Sequence, residues 1–176
     1  MANDYLDLYG RGSEWAVTKV RGAANQLDAP SPCEKWSMRM LLDHMLQTQR
    51  YFLAQARGEK AELTPEPPSL ISDDPAHDFD GVRAEMLKAF GAPGALDATG
   101  PMLGIAFSDL LLHGCDVARG SGQDDTMPAG LAEAAYATIH GRFTDEQRKG
   151  VFAPEIAVGD DASPQQRLLA YTGRQP

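Results

Sequence analysis

Asp109 and His113 stand four residues apart in a stretch that is otherwise apolar, Leu103 to Arg119. On a helix this spacing puts both side chains on one face, one turn apart. A carboxylate in such a stretch is costly to bury unless it is paired or binds a metal. A His and a carboxylate at this spacing can place two ligands on one divalent ion. Two other readings stay open: Asp109 orients His113 by a hydrogen bond, or both face solvent. His44 is the candidate third ligand, on the flank of another apolar helical stripe. Two imidazoles and one carboxylate leave coordination positions for water or substrate, as catalytic zinc sites do. The same set suits non-haem iron, so spacing does not name the metal.

The remaining reactive side chains carry weaker signals. His77 lies at the start of a predicted helix and reads as an exposed residue. His140 ends another, where a cation suits the helix dipole. Cys33 and Cys115 read as packed thiols, because neither has the cationic surroundings of a reactive one. Asp116, one turn beyond His113, either supports that imidazole from behind or faces solvent. No GxSxG, Walker, GxGxxG or CxxC motif is present.

Helices must position these residues. Apolar spacing predicts a first helix over 4–26, with glycines at 10, 12 and 22 and a break near Gly10. Ser37 caps a second over 38–57, striped by Met38, Leu41, Leu42, Met45, Gln49, Phe52 and Leu53. The Pro-rich residues 58–74 predict a long loop. Asp74 and Pro75 open a third helix over 75–90. The fourth covers 103–119 and is apolar on nearly every side, as a central bundle helix is. A fifth covers 129–140, with a turn or helix at 144–148. The tail has an extended piece at 155–158 and a short helix after Ser163-Pro164. No strand–helix alternation suggests a parallel sheet. The expected fold is all-α: a four-helix bundle with an extra helix and a C-terminal tail.

The 176 residues suit one domain, 1–176. Sixteen Lys and Arg face twenty-five Asp and Glu, and no basic run exists. Nucleic acid is therefore a poor partner, as is an anionic membrane surface. No stretch approaches the roughly 20 apolar residues of a membrane span. The acidic start shows no signal peptide, and two cysteines make no disulfide framework. A cytoplasmic location is expected.

Longer segments carry a family resemblance. Pro32-Cys-Glu-Lys-Trp36 through Leu41 to His44 resembles the P-C-x-x-W-x-V-x-x-L-x-x-H segment of the DinB-like superfamily. Asp109-Leu-Leu-Leu-His113-Gly-Cys-Asp116-Val-Ala-Arg119 resembles its metal helix, D-x-x-x-H-G-W-D-L-A-R. The ending from Phe152 to Arg174 resembles the tail of a metal-binding subgroup. More narrowly, the chain looks like the actinobacterial branch near the N-terminal domain of mycothiol-dependent maleylpyruvate isomerase.

The resemblance implies a four-helix bundle holding one divalent ion. His44 matches the first ligand, Asp109 the carboxylate or second, and His113 the last. The isomerase has Glu at the Asp109 position, and Cys115 stands where Trp is usual. Zinc is the expected ion, ahead of nickel or iron. The expected function is metal-dependent transfer of a low-molecular-weight thiol such as mycothiol onto a small electrophile, or isomerisation through that adduct. Metal-dependent hydrolysis and a non-catalytic metal- or ligand-binding bundle are the alternatives. A small-molecule substrate and a thiol are the expected partners, with a homodimer as the expected assembly.

Overall fold

A computed structural model describes residues 2–176, with side chains from Tyr5 onward. It contains α1 (Ala2–Ala23), α2 (Met38–Ala56), α3 (Pro75–Phe90), α4 (Ala95–Gly120), α5 (Leu131–Ile139), α6 (Asp145–Val151) and α7 (Pro164–Tyr171). Among the described residues there is no strand, only an isolated bridge between Pro30 and Ser37. The chain is all-α, as expected, with α1–α4 forming the bundle, α5 packed on α4 and α7 packed on α5.

Local chemistry sets most boundaries. The Ser37 hydroxyl accepts from the Met40 amide at 3.3 Å and starts α2. Asp74 accepts from the His77 amide at 3.1 Å, and Pro75 occupies the first turn of α3. Capping boxes start α6 (Thr144 with Gln147) and α7 (Ser163 with Gln166), each satisfying two otherwise free amides.

Two expectations about helix extent are corrected. α1 runs without a break at Gly10 and stops at Ala23. Gly12 admits α4: a Cβ there would sit 2.8 Å from the Phe107 ring. In return Gly114 of α4 admits Trp15, whose ring would lie 2.8 Å from a Cβ there. α4 begins at Ala95 rather than 103 and carries Pro101 inside it. Pro101 removes one i→i−4 bond, but it is exposed, so water can solvate the freed carbonyl.

This extension changes a second reading. At 26 residues, α4 is long and apolar enough to cross a membrane by length and composition. In the fold its apolar side chains face other helices: Leu103, Phe107, Leu110 and Leu111 are at most 2% exposed.

The bundle interior is not wholly apolar. The Tyr9 hydroxyl donates to Gln49 Oε1 at 2.9 Å, and Gln49 Nε2 donates to the Ala106 carbonyl at 3.3 Å. These buried bonds join α1, α2 and α4 in one register. Buried Asp43 holds the long loop, its Oδ1 accepting from the Leu70 and Ile71 amides at 2.6 and 2.8 Å. Gln47 Nε2 donates to Thr64 Oγ1 at 2.8 Å. The loop is therefore seated on α2 beside His44.

The tail is also seated. The Ile156 amide donates to the Ala170 carbonyl at 3.0 Å, so the extended piece lies against α7 without forming a strand. After α7 the chain reverses at Gly173, with φ +76°. The Gly173 amide bonds Ala170 and the Arg174 amide bonds Leu169 at 2.9 Å. This helix-ending turn favours glycine. A Cβ on Gly173 would also lie 2.7 Å from the Ala153 carbonyl carbon.

Candidate metal centre

α2 and α4 face one another at the end of the bundle covered by the tail. Ligand atoms of His44, Asp109 and His113 lie within 4.8 Å of one another. His113 Nε2 is 3.6 Å from Asp109 Oδ1. The two imidazoles meet edge-on, with ring centroids 4.9 Å apart and an interplanar angle of 81°. Trp36 packs on the other side of His44, with centroids also 4.9 Å apart.

Hydrogen bonds behind these residues direct the free atoms. Asp116 Oδ2 is 2.9 Å from His113 Nδ1. Asp116 is buried and bound to Arg174, so it is ionised and accepts the Nδ1 proton, which leaves Nε2 facing Asp109 and His44. The Thr48 hydroxyl is 2.8 Å from Asp109 Oδ2 and 2.9 Å from the Met45 carbonyl, sharing its proton between them. Asp109 Oδ1 is the oxygen left facing His113. Arg174 Nε and Nη2 donate to Asp116 at 2.8–3.2 Å. Cys33 Sγ is 3.6 Å from Asp116 Oδ2.

The electrostatics follow. Burial opposes protonation of His113, but Asp109, Asp116 and Cys33 outweigh it and lift its pKa to about 10. Burial lowers the pKa of His44; Asp109 opposes this, and His113 and Arg174 add to it. Burial would raise the Asp116 pKa, but His113 and Arg174 hold it well below the usual carboxylate range. Burial works against the Arg174 charge, and Asp116 overcomes it. Without a metal, the two carboxylates are thus balanced by His113 and Arg174.

The donors fit a divalent ion. Ligands on a tetrahedral zinc at about 2.0–2.1 Å lie roughly 3.3 Å apart. The 3.6 Å separation of His113 Nε2 and Asp109 Oδ1 is close to that, and the outer limit of 4.8 Å asks for a small inward rotation of the rings. Cys33, His113 and Asp116 make a second close trio. It fits less well, because Arg174 and His113 already occupy the Asp116 oxygens.

Two cavities meet at these residues. One, of about 350 Å³, runs between α2, α4, α5 and the tail, past Thr48, Ile105 and Leu112. The other, of about 680 Å³, opens beside Cys33, Trp36, Thr64 and Asp116. His44, His113, Phe152 and Arg174 line both.

The other predicted positions fall elsewhere. His77 is exposed on α3. His140 ends α5 and stacks on Tyr136, with centroids 4.8 Å apart. Cys115 is buried, and burial pushes its thiol up to about 12. Of the two readings of Asp116, support for His113 is the one realised. Cys33 does more than pack, since it touches Asp116 and lines the larger cavity. Arg174 and Thr48 carried no assigned role in the sequence. Thr48 is four residues after His44, and that spacing was the available signal. Arg174 closes the tail segment that carries the family resemblance, but its contact with Asp116 shows only in the tertiary fold.

Two uncharacterized proteins of Mycobacterium tuberculosis, from strains CDC 1551 / Oshkosh and ATCC 25618 / H37Rv, are each 27% identical to the chain over 165 residues. The match covers 86% of this chain and 86% of each of theirs. No solved structure matches the chain. The family model for the mycothiol maleylpyruvate isomerase N-terminal domain matches residues 13–118, which contain His44, Asp109 and His113. With more than half of its length matched and an all-α bundle of the DinB-like type, the chain belongs to the mycothiol maleylpyruvate isomerase N-terminal domain family.

Proposed function

We propose that the protein is a metal-dependent enzyme that transfers a low-molecular-weight thiol, of the mycothiol type, to a small electrophile or isomerises the electrophile through that adduct. The observation that carries this reading is the pairing of an aimed donor set with open space. His113 presents Nε2 toward Asp109 and His44, and two cavities adjoin the three residues. His44, Asp109 and His113 would hold one divalent ion, with zinc put first on the family resemblance, ahead of nickel or iron. Such an ion, when bound, acidifies a thiol so that it is a thiolate at neutral pH.

The protein's own residues do the positioning. Asp116 keeps the proton on His113 Nδ1 and fixes the ring orientation. Thr48 holds one oxygen of Asp109 and leaves the other free. Arg174 neutralises Asp116 at the junction of the two cavities. Trp36 buttresses His44, and no protein thiol takes part. The larger, more polar cavity suits the thiol co-substrate.

The test is thiol consumption with model electrophiles, using zinc-loaded, chelator-treated and His113→Ala protein. The expected result is turnover by the loaded wild type and none by the other two. Equal rates in all three would overturn the proposal. Turnover of water-labile esters or amides without thiol would instead favour the hydrolase reading.

A further inference from the structure

We infer that the 350 Å³ cavity is the binding chamber for the second substrate, and that the body of this substrate, the part lying against the cavity walls away from the metal centre, is uncharged and apolar or aromatic. Its volume is at the small end of ligand pockets. Ile105, Leu112, Ile139, Phe143 and Phe152 form its walls, drawn from α4, α5 and the segments on either side of α6. Its polar side chains are His44, Thr48, Asp109, His113 and Arg174 of the candidate metal centre, and Ser108, whose hydroxyl donates to the Gly104 carbonyl. A molecule seated against these walls therefore has its reactive end toward the metal centre and its body in an apolar environment.

The charges point the same way. Among the described residues, Arg174 is the only Lys or Arg lining the chamber. It is not free to hold a substrate carboxylate, because two of its nitrogens donate to Asp116. Away from the metal centre, a charged group lying against these walls would lose water and meet no unpaired cation, since His113 is already paired with Asp109 and Asp116; that is costly. An apolar molecule would gain burial.

The mouth supplies an independent observation. Among the described residues three large apolar side chains are strongly exposed: Leu63, Val151 and Val158. Two of them, Leu63 and Val151, rim this chamber. Leu63 comes from the long loop and Val151 from the end of α6, so two separate segments each bring an exposed apolar side chain to this chamber.

The inference rests on the thiol-transfer reading only in calling the occupant a substrate. Its test needs neither metal nor thiol. N-phenyl-1-naphthylamine is a neutral probe that fluoresces in apolar sites. 8-Anilinonaphthalene-1-sulfonate has the same carbon framework with a negative charge. Both are titrated into metal-free protein. The neutral probe should saturate at one site, and the sulfonate should bind about tenfold more weakly or less.

Ile105→Glu places a carboxylate in the wall and should weaken the neutral probe by about tenfold or more. Val151→Glu, on an exposed residue that the fold tolerates, should weaken it less but measurably, with unchanged circular dichroism. Equal affinity for the two probes would overturn the inference. So would unchanged binding in both variants. Probe binding without thiol turnover would instead sink the thiol-transfer reading alone.

Discussion

Metal uptake should expel close to one proton, and the proton should come from His113. In the metal-free protein Asp109, Asp116 and Cys33 outweigh burial and raise the His113 pKa to about 10. A metal needs the neutral imidazole, so the Nε2 proton must leave. At pH 7.5 the ring is then more than about 99% protonated. Displacing that proton weakens binding by roughly two to three orders of magnitude, or about 3 kcal/mol. His44 adds little, because burial lowers its pKa and it is already neutral. Asp116 adds nothing, since it stays ionised throughout. Apparent zinc affinity should therefore rise about tenfold per pH unit, or roughly 100-fold from pH 6.5 to 8.5. Calorimetric titrations in buffers of different ionisation enthalpy count the protons directly. A slope near one is expected, and Asp116→Asn should reduce it. Zero protons released, or an affinity flat across that range, would refute the placement of the ligand proton on His113.

Four further outcomes rest on the same contacts. Asp116→Asn removes the anion behind His113 and should lower metal affinity 10- to 100-fold; it also strands buried Arg174, so denaturant titration should show a loss of about 3–5 kcal/mol. The sign of the pH dependence in the metal-free fold is fixed by the direction of each shift. The raised His113 pKa contributes stability that is complete below about 6.5 and lost as pH climbs toward 10. The depressed Asp116 pKa contributes stability present above the ordinary carboxylate value and lost as pH falls below it. Thermal melts from pH 5 to 10 should decline toward the alkaline end. Gly173→Ala forces a side chain into φ +76° and against Ala153. It should cost about 1–3 kcal/mol and loosen Arg174 from Asp116, visible as a lowered melting temperature and weaker metal binding. Iodoacetamide at pH 8 should label the folded protein at Cys33 and spare Cys115, whose buried thiol is pushed up to about 12; labelling of Cys115 at equal rate would contradict that burial.

What the sequence made legible was what local chemistry controls. Ser37, Asp74 and Pro75 mark helix starts by the bonds their own side chains or ring make possible. The apolar stripe of α2 follows from one period along one element. The Asp109–His113 pair is also local, since four residues on a helix define a face. Other features needed the third dimension. The start of α4 was obscured by Pro101, because the cost of proline depends on whether solvent reaches the freed carbonyl. Asp116 could be placed near His113 by spacing, but only packing decides that it is buried. Arg174 reaches Asp116 across 58 residues of chain, and that contact depends on the turn at Gly173. Spacing offered His44 only as a candidate third ligand on the flank of its stripe, and the family resemblance matched it to the first ligand position.

Elemental analysis of protein purified without added metal tests the central claim most directly. The wild type should carry close to one equivalent of a divalent ion, or take one up on titration. His44→Ala and His113→Ala, shown by circular dichroism to keep the helical fold, should carry none. A wild type that is metal-free and refuses metal, or variants that retain a full equivalent, would contradict the account.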